Sequence, residues 1–394
     1  MKIWFLTPTF PPVRGGSETQ AFTLAAGLVR EGHSVSVLTE RYPGSSAVEE
    51  LAGVRVHRSR TDPERWRSPD RVPWEERVFG LLRDAQDLIT PDRTDVLQTF
   101  CQVGAVLGAM MTSSLRCPLV VTMNETTPHT DPFGSARTRL VYGHLPYDAV
   151  VTGSAEYQRQ AIEYGADPAR VHLARYGIDG DLYGPGDGSE VDEARQWLRV
   201  APGDQVVLLV GRFKERKGQR ELVRAMTRVT RRHPRARAVL VGSLNSASVA
   251  YQRQVEQDIA DADLSERVLL RTSALPFGSL RAIYTAATVV VQPSHSEGLG
   301  LSAIEAIAAG RPLIATAVPG LSEVLESCPG TVSVPPKDPD ALADAICAVL
   351  DNPEKAERGA RRARAAVRRE FDARDMVGGY LKVYERLRAT EDVT

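Results

Sequence analysis

The chain has 394 residues, more than one hydrophobic core organises, because single cores stop growing near ~250–300 residues. Two domains are therefore expected. A formal net charge of −1 provides no global basic field for nucleic acid. The arginine runs at Arg231–Arg237 and Arg361–Arg369 read as solvated helix faces. Four scattered cysteines, Cys101, Cys117, Cys328 and Cys347, have neither CxxC nor Cys/His metal spacing. They read as reduced thiols of a cytoplasmic protein. No apolar run reaches the ~18 residues of a membrane span, and the short apolar start Met1–Leu6 reads as a buried strand.

In chain order, Ile3–Leu6 is a strand, Pro8–Gly16 a turn-rich loop, Glu18–Arg30 a helix by its apolar spacing, and Val35–Leu38 the next strand. This is the opening unit of a parallel sheet. Short buried strands are expected at Val54–Val56, Val96–Gln98, Leu119–Thr122 and Ala149–Thr152, and a loop over Arg58–Trp74. The stretch Asp181–Ser189 is rich in Gly, Pro and Asp and reads as an inter-domain linker. The same grammar then restarts. Strands are expected at Val206–Val210, Ala238–Val241, Val289–Gln292 and Pro312–Ala315, and helices at Glu221–Arg232, Leu280–Ala287 and Leu301–Ala309. A very basic helix and a last helical stretch, Asp375–Arg388, close the chain. Each half thus reads as a doubly wound α/β layer.

The strongest chemical signal is the stretch Pro293–Pro312, PSHSEGLGLSAIEAIAAGRP. A strand feeds a Gly-containing turn that opens a helix near Leu301. Such a turn leaves backbone N–H groups free at Gly300, Leu301 and Ser302, and a helix N-terminus of this kind attracts phosphate. Gly298 and Gly300 permit close approach. Glu297 sits within reach of a sugar attached to that phosphate. Glu305, on the first turns of the helix, can accept hydrogen bonds from two ribose hydroxyls. Arg212 and Lys217 follow the first strand of the second half, where a doubly wound sheet exposes its crevice. They can neutralise a diphosphate without a metal. Lys214 and Arg216, in the same loop, read as solvated. Asp pairs two residues apart, at Asp179/Asp181, Asp261/Asp263 and Asp338/Asp340, lack the setting of a metal site, and none is expected. Gly15 and Gly16 open a helix after the first strand. Their amides can meet a donor phosphate or an acceptor hydroxyl. His33 is read as a turn residue; His295 is a further candidate donor contact.

The Glu297–Glu305 spacing resembles the Glu-x7-Glu motif of the large retaining glycosyltransferase family 4, which has the GT-B fold. The resemblance spans nearly the whole chain. Gly15-Gly16-Ser17-Glu18 is similar to that family's N-terminal Gly-Gly loop, Gly32-His33-Ser34-Val35 to its strand-two entry, and Tyr176-Gly177-Ile178-Asp179 to the close of its first domain. Gly211-Arg212 with Lys217-Gly218 resembles its phosphate-binding pair. The resemblance implies two Rossmann-like domains facing a central cleft. It implies an acceptor domain over residues 1–183, a linker at 184–204, a nucleotide-sugar domain at 205–370 and a helix at 371–394 crossing back to the first. The implied reaction is metal-independent, retaining transfer from a nucleotide diphosphate sugar to a hydroxyl acceptor: a small natural product, lipid or glycan. The donor, UDP- or GDP-linked, is a substrate, and no cofactor is expected. Peripheral membrane contact and a homodimer are compatible with this reading.

The implied catalytic residues are Arg212, Lys217, Glu297 and Asn124. Donor contacts are Gly16, Glu297, Gly298, Gly300, Leu301, Ser302, Glu305, Arg212 and Lys217. The base is expected against backbone near Leu270–Pro276. One departure stands out: family members often place a His after the strand Leu119–Thr122, where this chain has Asn124. The strand near Val96 reads Leu97-Gln98-Thr99-Phe100, without the usual histidines. Asn124 can orient a hydroxyl but cannot shuttle a proton. Glu125 and His129 are candidates to compensate. Rival readings are a nucleotide-sugar epimerase or a phosphorylase on the same architecture, and a catalytically silent nucleotide-sugar-binding protein.

Overall fold

A computed structural model describes the chain apart from residues 14, 65–73, 125–133, 181, 243–247, 273–279 and 392–394. It divides into two units, Met1–Gly177 with Ala373–Thr394, and Ile178–Asp372.

The first unit runs β1 (Lys2–Leu6), α1 (Gly16–Arg30), β2 (Ser34–Thr39), β3 (Val48–Leu51), β4 (Val54–Arg58), α2 (Trp74–Leu88), β5 (Val96–Phe100), α3 (Cys101–Met111), β6 (Leu119–Met123), α4 (Gly134–His144), β7 (Ala149–Thr152), α5 (Ala155–Glu163) and β8 (Val171–Leu173). The strands form one eight-stranded sheet in the order β3-β4-β2-β1-β5-β6-β7-β8. All neighbours are parallel except β3 against β4. Both faces of the central strands are buried, as in β5 and β6, whose residues are all buried. That is why these strands read in sequence as unbroken apolar runs, not as alternating patterns. The edge strand β3 was not expected: its sequence, VEEL, is half polar and carries no buried-strand signal. The region Arg58–Trp74, expected as a loop, begins with the last residue of β4 and ends with the first of α2; residues 65–73 lie outside the described chain.

The second unit runs α6 (Gly188–Leu198), β9 (Gln205–Val210), α7 (Gln219–Arg232), β10 (Ala236–Val241), α8 (Val249–Asp261), β11 (Val268–Arg271), α9 (Arg281–Ala286), β12 (Val289–Gln292), α10 (Leu301–Ala308), β13 (Leu313–Thr316), α11 (Pro319–Ser327), β14 (Val332–Val334), α12 (Pro339–Asp351) and α13 (Pro353–Glu370). Its six-stranded sheet has the order β11-β10-β9-β12-β13-β14 and is parallel throughout. The order reverses at β9, which sends one connection to β10 on one side and has β12 on the other. The crevice of such a sheet lies at the carboxyl ends of the strands flanking this reversal.

The expected linker at 184–204 is mostly helix. Asp187 accepts from the Glu190 N–H at 2.9 Å while Glu190 Oε2 accepts from the Asp187 N–H at 3.1 Å. That capping box starts α6, which packs on α9 within the second unit. The Gly, Pro and Asp residues therefore mark a helix entry, and the division between units falls earlier, at Gly177/Ile178. There the Ile178 N–H donates to Phe371 O at 2.9 Å, tying the outgoing chain to the returning one.

The closing helix α14 (Ala373–Glu391) belongs to the first unit. Tyr384 donates from its hydroxyl to Gln98 Oε1 at 2.8 Å, and the Tyr380 hydroxyl lies 2.8 Å from Thr122 Oγ1. Gln98 Nε2 in turn donates to Thr122 Oγ1 at 2.9 Å. This buried polar chain fastens α14 to β5 and β6, and each member loses a partner if one is removed. The variant Y384F is expected to lower the stability of the first unit by about 1–2 kcal/mol, read as a lower urea midpoint for that unit's transition. An unchanged midpoint would show that this contact contributes nothing.

Candidate functional site

The loops after β9 and β12 leave neighbouring strands at the reversal point of the second sheet. Gly218 has φ 70, and a Cβ there would lie 1.9 Å from the Pro293 carbonyl oxygen. Only glycine lets these two loops close to this distance. The His295 N–H donates to Arg216 O at 2.7 Å and holds them together. The consequence is an ion pair. Lys217 Nζ donates to Glu297 Oε1, and Arg216 Nη1 lies 3.1 Å from Glu297 Oε2. Ser294 Oγ also donates to Oε1, at 2.9 Å. Glu297 is 6% exposed. Burial by itself would raise its pKa, but the charges of Lys217 and Arg216 win and hold it at about 2. Burial lowers the Lys217 pKa, and Arg216 and Arg212 lower it further against the pull of Glu297. With Arg212 and Lys214 the loop carries four cations, against its own Glu215 and the facing Glu297. The excess of two positive charges suits a bound dianion.

Gly300 precedes α10 with φ 92, and a Cβ on it would lie 2.4 Å from Leu321 Cδ2. The first intrahelical bonds come from the N–H groups of Ala303 and Ile304 onto Gly300 O. The amides of Leu301 and Ser302 therefore have no acceptor within the helix. Glu305 lies one turn further, 6% exposed. Its partners are neutral. The Tyr284 hydroxyl donates to Oε2 at 2.8 Å, and the Tyr183 hydroxyl binds the same carboxyl. Burial pushes Glu305 up to about 7; the two tyrosines and, more weakly, Lys217 pull it down without offsetting burial.

Arg212, Lys217, Glu297, Gly298, Gly300, Leu301, Ser302 and Glu305 thus share one crevice of the second unit, on the loops after β9 and β12 and on α10. Arg216, expected to stay solvated, instead reaches Glu297, because the short 3₁₀ turn Glu215–Lys217 aims consecutive side chains at the same carboxylate. His295 Nε2 sits 3.1 Å from Glu221 Oε1 on α7. His33 Nδ1 lies 3.0 Å from the N-terminal amine. Gly16 and Asn124 belong to the first unit. Gly16 opens α1, whose first turn holds the buried Glu18. Glu18 Oε1 accepts from Thr9 Oγ1 at 2.7 Å, and Oε2 is buried without a hydrogen-bond partner. An anion already stands at this helix start. Asn124 follows β6, 8% exposed, and both polar atoms of its amide are buried without a partner. Glu125, His129 and residues 273–276 of the expected base contact lie outside the described residues. Among the described residues, no group of three or more His, Cys, Asp or Glu could hold a metal ion. None of their helices is long and apolar enough to cross a membrane.

Two family models match the chain: "Glycosyl transferase 4-like domain" over residues 15–177 and "Glycosyl transferases group 1" over residues 190–366. A D-inositol 3-phosphate glycosyltransferase of Catenulispora acidiphila is 30% identical over 359 residues, covering 86% of this chain and 84% of the relative. The chain belongs to the family 4-type glycosyltransferases. It shares their GT-B fold. A sucrose-phosphate synthase from Thermosynechococcus elongatus superposes with a TM-score of 0.84 at 24% identity, covering 98% of this chain and 99% of that one. An Anabaena protein in complex with UDP-glucose superposes with a TM-score of 0.79 at 22% identity, covering 98% and 100%.

In this glycosyltransferase three residues at the crevice escaped the sequence reading: Arg216, Tyr284 and Tyr183. Arg216 was masked by its exposed-looking basic neighbours. Tyr284 lies on the expected helix before β12, at a position that reads only as core. Tyr183 sits in the stretch taken for linker, and no local signal sends it to Glu305.

The state of Glu305 has a thermodynamic consequence. Its carboxyl releases a proton near 4.5 when unfolded and near 7 when folded. Between those values the folded state binds more protons, so stability falls as pH rises and the deficit persists above 7. That difference corresponds to about 3 kcal/mol. The variant E305Q keeps the shape and removes the titration. It is expected to gain about 2–3 kcal/mol on wild type in urea unfolding of the second unit between pH 4.5 and pH 8. A stability difference that does not change with pH would contradict the buried, uncompensated carboxyl.

Proposed function

We propose that this glycosyltransferase moves a sugar, with retention and without a metal, from a nucleotide diphosphate sugar to a hydroxyl acceptor. The observation that carries this reading is the pairing of Arg216 and Lys217 with Glu297, with Arg212 near Lys217, beside the unbonded amides that open α10. The excess of two positive charges matches the charge of a diphosphate linking nucleoside and sugar. Glu305 then accepts from the ribose hydroxyls and Glu297 orients the sugar. A UDP-linked donor fits the UDP-glucose complex of the Anabaena protein.

In this mechanism the bond from the anomeric carbon to the diphosphate oxygen breaks, and the oxygen keeps the electron pair. Its growing charge meets Arg212, Lys217 and the Leu301 and Ser302 amides, which are already in place and need no reorganisation. The acceptor oxygen bonds to the same face of the sugar. Its proton passes to the departing phosphate oxygen, so no side-chain base is required and Asn124 suffices where a His would otherwise stand. The acceptor binds the first unit through Gly16 and Asn124. Glu18 disfavours a phosphate at Gly16 and favours a hydroxyl donor there. The two unpartnered polar atoms of Asn124, each costing ~1–3 kcal/mol when left so, are satisfied by acceptor hydroxyls.

The test is sugar transfer from a panel of nucleotide sugars to a panel of acceptors by EDTA-treated protein, with the product's anomeric configuration read by proton NMR. Retained configuration and undiminished turnover in EDTA are expected. Inversion, a requirement for added metal, or donor binding with no transfer to any acceptor would each overturn the reading. K217A is expected to lower kcat by about 10²–10³-fold.

A further inference from the structure

Glu297 and Glu305 share one short segment but have opposite environments. Glu297 is surrounded by cations. Glu305 is held by hydroxyls, from Tyr284 on α9 and from Tyr183 ahead of α6. The charged and titratable groups acting on Glu305 are these two tyrosines and, at longer range, Lys217 from the loop after β9. Tyr284 is fully buried, and burial together with the neighbouring Glu305 charge raises its own pKa well above the ordinary tyrosine value. It therefore stays a donor at any working pH. Donation to Oε2 fixes the carboxyl's rotation.

We propose that Tyr284 and Tyr183 are positioning residues for nucleotide binding, which hold the Glu305 carboxyl in a ribose-accepting orientation and make donor binding release a proton from it. The inference rests on the assignment of Glu305 to the ribose. A ribose diol offers two O–H donors. A carboxylate accepts both, whereas a neutral carboxyl presents one donor of its own and competes. Binding therefore selects the ionised form: the Glu305 O–H bond breaks, its electrons stay on the carboxylate, and the proton goes to solvent. The hydroxyls of Tyr284 and Tyr183 stabilise that same ionised form against burial, which otherwise keeps the group protonated to about pH 7.

The experiment is titration calorimetry with UDP-, GDP- and ADP-glucose between pH 6 and pH 9, in buffers of different ionisation enthalpy. The diphosphate diester of these probes does not titrate in that range. For wild type the expected result is release of about half a proton at pH 7 and almost none at pH 9, with affinity falling about tenfold from pH 8 to pH 6. Y284F and Y183F are each expected to move this midpoint to higher pH, so that affinity lost at pH 7 is regained at pH 9. E305Q binds weakly with no pH slope. Wild-type binding without proton release, or tyrosine variants weakened equally at every pH, would overturn the proposal. If E305Q binds as tightly as wild type, or no probe binds, the ribose assignment itself falls. Using both tyrosine variants keeps the test decisive if one does not fold.

Discussion

The contact between Lys217 and Glu297 organises the crevice of the second unit. Four cations lie on one short loop, and their mutual repulsion and partial desolvation oppose the close approach of that loop to the turn after β12. Glu297 resolves the conflict. It is held ionised because Lys217 and Arg216 outweigh the effect of its burial. The geometry that permits the contact comes from the backbone. β9 and β12 are neighbours although α7, β10, α8, β11 and α9 separate them in sequence, and Gly218 lets the loop after β9 rest on the Pro293 carbonyl.

The two carboxylates of the crevice divide the work through their surroundings. One is charged at every ordinary pH and sits among cations that leave a net positive field. The other is close to half-protonated at neutral pH, because hydroxyls replace cations around it. Had both been ionised without cationic partners, the site would repel a diphosphate. Glu297 is neutralised by pairing with Lys217 and Arg216, and the cations left over favour an anion. The free amides at the start of α10 add to that field.

The first unit is built differently. Glu18 stands at the start of α1, and Asn124 follows β6 with its side-chain amide unpartnered. Tyr380 and Tyr384 join α14 to β5 and β6 through Thr122 and Gln98. The positions that lack histidines along β5 are thus used by Gln98 for structure, which is why the departure from the usual pattern there leaves the sheet intact.

Much of this was legible in the sequence, and for physical reasons. Strands buried on both faces read as apolar runs, so β1, β2, β5, β6, β7, β9 and β12 stood out, whereas the half-polar edge strand β3 did not. Glycine's tolerance of close approach marked Gly298 and Gly300, whereas Gly218 was marked only by the resemblance and its left-handed backbone by the structure. The spacing of Glu297 and Glu305 follows from a turn and one helical repeat, which are local. What the sequence could not decide was non-local. The packing of a stretch rich in Gly, Pro and Asp decided that it was a helix entry carrying Tyr183 and not a linker. Arg216 looks like its solvated neighbours until the loop closes on Glu297. The charge states of the two glutamates, identical in sequence, depend on which distant side chains the fold brings to them: cations from the loop after β9 for one, hydroxyls from α9 and residue 183 for the other. Local spacing placed the carboxylates, and only the tertiary structure determined which of them is ionised.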